Sequence, residues 1–180
     1  MFRTQDVDGN LGRDYLRGAD GFLCAAEKIL NSTDRDSGEW LFKLENPVCF
    51  LVGHAAELIL KAGLVRQPDF SKFKKTHDLV FLINQSHQKQ IPLNQIFCSC
   101  VERINGNFVQ HDHRYQKSFY GFPENDHDRL MKLMKENSVA AKKELHDHGL
   151  VLRQVPDLSS FINAAREQLQ STEEMLELPP

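Results

Sequence analysis

Three ionisable residues carry the clearest chemical signal in this sequence. His54, Glu57 and Lys61 stand at i, i+3 and i+7, so on a helix they share a stripe about 60° wide. An imidazole beside a carboxylate can move protons, and a carboxylate beside an ammonium can stay ionised away from water. Taking such groups out of water is costly unless they pair. Three readings are open. One is a structural network, with Glu57 bridging to Lys61 and His54 donating to a backbone carbonyl. Another is the polar wall of a binding or catalytic groove. The third is a metal site on His54 and Glu57, although a di-iron bundle needs a second such pair and two more carboxylates on facing helices.

Other clusters are read more simply. Cys98-x-Cys100 and His111-x-His113 are zinc-ligand types. Residues two apart on a helix point about 200° apart, so both cysteines do not face one ion. Two small thiols on a core helix are expected there, and no metal. His146-Asp147-His148-Gly149 suits the end of a helix, with the glycine in the left-handed cap. Ser71-Lys72-Phe73-Lys74-Lys75 is a compact basic stretch around an aromatic. Such a stretch holds phosphates and stacks bases, or serves as ordinary solvated surface. The sequence holds no GxxxxGK[ST], GxGxxG or GxSxG, so no cofactor is expected.

The elements that carry these residues read as helices throughout, because apolar residues recur at helical spacing and period-two runs are scarce. The pattern predicts helices over about 14–30 and 47–65, a short third opening at Thr76 and carrying Leu79, Val80, Leu82 and Ile83, and others over about 93–108, 126–146 and 157–176. Leu16, Leu23, Ala26 and Leu30 share a face of the first. Gly18 and Gly21 weaken it and open a route to a close crossing. Asn46 and Pro47 begin the second, and Thr76 caps the third. Gly121-Phe122-Pro123 makes a turn before the fifth.

The second helix, FLVGHAAELILKAGLV over 50–65, is apolar almost all round. Leu51, Ala55, Leu58, Ala62 and Val65 fill an arc about 80° wide. Phe50, Val52, Ile59, Leu60 and Leu64 cover much of the rest. Such a helix belongs at the centre of a bundle, or between its neighbours and a partner chain. The expected fold is all-α, an up-and-down bundle of four to six helices in a single domain.

Composition sets the class. Hydrophobic residues make up 41% and charged residues 26% of 180, which is a globular balance. A formal charge of −3 excludes a global basic field that would recruit nucleic acid, though not a local patch. Four cysteines and no leader-like apolar stretch fit a cytoplasmic protein, and no eighteen apolar residues run together, so no membrane partner is expected.

The run HAAELILKAGL, the His-Asp-Leu of THDLVFLI, and Arg114-Tyr115 together resemble the HEPN superfamily, over roughly residues 15–145. These helical domains occur in toxin–antitoxin, phage-defence and RNA-processing systems. The resemblance implies a four- or five-helix bundle, usually a homodimer with its cleft at the dimer interface. HEPN ribonucleases share an Arg, four to six residues and then a His; here seven residues separate Arg103 from His111. The resemblance thus implies a non-catalytic module that binds RNA or a partner such as an antitoxin. Its cleft would lie between the second and fourth helices, organised by His54, Glu57, Lys61, His77, Asp78, Arg114 and Tyr115. Within it, His77 would link to Glu57, and Glu57 and Asp78 would anchor Lys61 and Arg114.

Two alternatives accompany this reading. One is a metal-independent endoribonuclease using Arg103, His111, His113 or Arg114, with a His as base and an Arg stabilising the phosphorane; a kink at Gly106 would bring Arg103 and His111 together. The other is a structural interaction subunit whose last helix carries the binding.

Overall fold

The computed structural model of the chain describes residues 7–32, 45–73, 75–109 and 157–178. These form five α-helices and one 3-10 turn, with no strand among the described residues. They are α1 (Val7–Ser32), α2 (Glu45–Leu64), the turn Phe70–Lys72, α3 (Leu79–Gln88), α4 (Gln95–Val109) and α5 (Leu158–Glu177). The helix expected over 126–146, the turn at 121–123 and the histidine-rich end at 146–149 lie outside the described residues.

The centre is α2. Each of α1, α3, α4 and α5 packs against it, which is why its sequence is apolar on nearly every side. Val52, Ala55, Ala56, Ile59, Leu60, Ala62 and Leu64 are all 1% exposed or less. By length and composition Pro47–Leu64 would suffice to cross a membrane, but 72% of it is buried inside the protein. It is the core helix of the bundle.

The face expected of α1 is buried: Leu16, Leu23, Ala26 and Leu30 all sit in the core, joined by Ala19. The helix starts seven residues before the expected Asp14 because packing outweighs the poor propensity of its glycines. A Cβ on Gly12 would stand 2.9 Å from Leu176 Cδ1 and 3.1 Å from Val65 Cγ1, and one on Gly18 would stand 3.1 Å from Leu58 Cδ1. The close crossing therefore uses Gly12 and Gly18. Gly21 faces open space. Gly21→Ala should accordingly stabilise the protein by about 0.5–1 kcal/mol. Gly12→Ala should lose that gain to the clash; urea titration of the two variants separates them.

Helix ends show where side chains override simple cap rules. α3 begins at Leu79 with Asp78 as its cap, the carboxylate accepting from Phe81 N–H at 3.0 Å. Thr76, expected to cap, instead accepts from the Asp78 N–H. α2 starts one residue before Asn46, and Pro47 falls in the first turn, where its missing N–H would have had no partner anyway. Asn94 Oδ1 accepts from the N–H groups of Ile96 and Phe97 and so caps α4.

α3 ends in a Schellman arrangement: Ile91 N–H reaches Ser86 O and Gln90 N–H reaches His87 O. Gln90 holds φ 57° there, the left-handed position that usually belongs to glycine. Gln90→Gly should therefore raise stability by about 1 kcal/mol, read as a higher urea midpoint at unchanged slope.

α5 starts one residue after its capping Asp157. It runs antiparallel to α1, with Leu176 against Gly12 and Arg166 against Glu27. Its apolar face, including Phe161, Ile162 and Ala165, lies in the core. The surface this helix offers outward is polar, with Asn163, Glu167, Glu173 and Glu174 exposed.

Candidate functional site

The stripe on α2 lands where the bundle is dry on one side and open on the other. Glu57 and Lys61 side chains are 2% and 4% exposed, and Lys61 Nζ donates to Glu57 Oε1 at 2.7 Å. His77 arrives from the segment before α3. Its Nδ1 lies 3.1 Å from Oε1 and 3.0 Å from Oε2 of the same carboxylate, while its ring remains 44% exposed. A helix residue, its neighbour one turn on, and a loop residue twenty positions away thus share one carboxylate.

Asp78 fixes the approach of that loop by capping α3 through one carboxylate oxygen, Oδ1.

His54 departs from expectation. Among the described residues it makes no hydrogen bond to a backbone carbonyl. Its Nδ1 is buried without a hydrogen-bond partner and points at Glu57 Oε2 from 3.6 Å. The ring is held by aromatics: Phe50 stacks on it with centroids 5.7 Å apart, and Phe22 of α1 meets it edge-on at 4.7 Å.

The electrostatics follow. Burial alone would push the Glu57 carboxyl up, but the nearby His54 imidazole, the hydrogen bonds from Lys61 and His77 and the Lys61 charge outweigh it and bring the carboxyl down to about 2. Glu57 is therefore an anion at any physiological pH. Burial, then the Glu57 charge, pushes the Tyr15 hydroxyl of α1 up. Tyr15, which also meets Phe70 edge-on, belongs to the surroundings of this carboxylate. A lone tyrosine on the first helix gives no sequence signal of that.

Chemically the arrangement is a carboxylate–imidazole pair with a buried ammonium as counter-ion. When Nδ1–H of His77 donates to Glu57, the other ring nitrogen is left with its lone pair. The pair can present a hydrogen-bonding imidazole to a ligand from a fixed position.

Arg103 does not join this cluster. It is exposed on α4 and makes no hydrogen bond or ion pair among the described residues. α4 continues as α-helix past Gly106 to Val109, and His111, His113, Arg114 and Tyr115 lie outside the described residues.

Cys100 is buried and Cys98 half-buried, both as free thiols. Burial pushes both thiols up, which keeps them protonated. No group of three or more His, Cys, Asp or Glu is arranged to hold a metal ion among the described residues.

Three further polar devices tie α5 into the bundle. Arg166 of α5 grips Glu27 of α1 through Nε at 2.6 Å and Nη2 at 2.7 Å, and Asp20 at 2.9 Å. The Arg166 hydrogen bonds hold the Glu27 carboxyl below its ordinary value. Arg66, just past α2, donates to the carbonyls of Met175, Leu176 and Leu178 and so fastens the end of α5. Buried Gln168 accepts from Asn94 N–H at 2.7 Å and donates to Pro92 O at 3.0 Å.

No family model, curated protein or solved structure matches this chain.

Proposed function

We propose that this chain is a HEPN-like helical module, cytoplasmic and homodimeric, that binds single-stranded RNA without cleaving it, in a defence, toxin–antitoxin or RNA-associated system. One observation carries the reading. The two sequence runs that make the resemblance, HAAELILK and THDL, meet in space, with Lys61 and His77 on the single carboxylate of Glu57.

The basic stretch favours RNA among the possible ligands. It leads directly into the loop that carries His77, with Lys75 exposed two residues before it. Phe73, the aromatic of that stretch, is buried in the core at 2% exposure and is not a base-stacking surface. The exposed Lys75 beside the partly exposed His77 ring suits a phosphate backbone. The all-helical character of the described residues is compatible with the family.

The test is a titration of fluorescent single-stranded RNA in EDTA. Binding should weaken with salt at a log–log slope of about −0.7 per phosphate neutralised, with the RNA intact. Cleavage would instead favour the endoribonuclease reading on Arg103 with His111 or Arg114. An absence of both would move the ligand to a protein partner.

A further inference from the structure

We propose that His54 is a stand-by partner for Glu57, placed so that His77 can leave the carboxylate and hydrogen-bond a ligand. On the RNA-binding reading, from which the identity of the ligand is taken, that ligand is a phosphodiester oxygen.

The two histidines differ in how they are held. His77 sits on irregular backbone before α3 with 44% of its side chain exposed. His54 rides on the same helix as Glu57, and its ring is fixed between Phe50 and Phe22. Both aim Nδ1 at the same oxygen, Oε2: His77 from 3.0 Å and His54 from 3.6 Å.

Only one of them is bonded. The His54 Nδ1 is buried and has no hydrogen-bond partner, an arrangement that costs free energy unless the atom is used in another state. A closure of a few tenths of an ångström would bring it to ordinary hydrogen-bond length, about 2.9 Å. A buried carboxylate loses stability when a donor leaves it, and that loss would normally hold His77 in place. His54 removes the loss: as His77 swings out, Nδ1–H of His54 moves onto Oε2, while Lys61 stays on Oε1. No bond other than hydrogen bonds changes. His54 is thus a positioning residue, and His77 is the group that meets the ligand.

The test is a double-mutant cycle on the full chain, with His54→Phe to keep the ring stack and His77→Ala to remove the loop donor. Each single change should weaken the unfolding equilibrium modestly. The double variant should lose about tenfold more than the product of the two singles. Additivity within about twofold would overturn the proposal.

Side-chain nitrogen NMR gives a readout that mere packing would not move. His54 should show a hydrogen-bonded, exchange-protected Nδ1–H in His77→Ala, and in wild type on addition of a single-stranded RNA. A His54 signal unchanged by His77→Ala would overturn the proposal outright. RNA that binds while leaving His54 unchanged would overturn the release of His77 and leave the RNA reading intact. Strong coupling with no RNA bound would support the stand-by pairing and count against the RNA reading alone.

Discussion

Lys61→Met should cost the fold about 3–5 kcal/mol at neutral pH, because it removes the ammonium that lies 2.7 Å from a buried carboxylate. The ammonium is 2.7 Å from Oε1 and both side chains are almost fully enclosed. The cost lies in breaking the pair, not in lacking it. Glu57→Gln together with Lys61→Met should therefore lie within about 1 kcal/mol of wild type.

Acid separates these outcomes. In the folded protein the Glu57 carboxyl is lowered from 4.5 to about 2, so the unfolded chain binds more protons between those values. The stability this group supplies is fully present above pH 4.5 and is lost as pH falls through about 2. At face value the shift corresponds to about 3 kcal/mol. In Lys61→Met the carboxyl protonates more readily. Its deficit against wild type should shrink between pH 7 and pH 3, as urea midpoints at the two pH values will show. A deficit that stays constant would mean that Glu57 is not the group responding.

Phe161→Ala should cost about 3–5 kcal/mol. Phe161 is 0% exposed, sits on α5 and faces Phe97 of α4 across 6.3 Å between ring centroids. If α5 acted as a detachable binding helix, its apolar face would be open and this substitution would be nearly silent in the isolated protein. The helix instead contributes Leu158, Phe161, Ile162, Ala164, Ala165 and Leu176 to the core. Removing the chain after Pro156 would take away part of that core along with any binding surface, so a point substitution is the cleaner probe. A change in urea midpoint equivalent to less than about 1 kcal/mol would contradict this placement.

Much of this architecture was legible because it depends on local periodicity. The all-round apolar α2 had to be central, and the amphipathic α5 had to offer one face to a core. The Glu57–Lys61 pair follows from spacing on one helix.

What spacing hides is contact between distant segments. Arg166 and Glu27 lie 139 residues apart, and Asn94 and Gln168 lie 74 apart. Arg66 finds backbone carbonyls rather than a side chain, so no pattern of charges points to it. Tyr15 enters the field of Glu57 through the packing of α1 against α2, which spacing within either helix does not reveal. The setting of His54 is hidden for a related reason: its ring answers to Phe22 and Phe50, and Phe22 is on another helix. The cap of α3 moved from Thr76 to Asp78 because either side chain satisfies the local rule, and the tertiary link of His77 to Glu57 selects between them.

The central claim is that His77, which rests on Glu57 in the free protein and follows a basic stretch, is where RNA is bound. Titrating labelled single-stranded RNA in EDTA with wild type and His77→Ala tests it most directly. The account predicts at least about a tenfold loss of affinity, the worth of a hydrogen bond to a charged group, with the urea midpoint little moved. Equal affinity of the two proteins would contradict it.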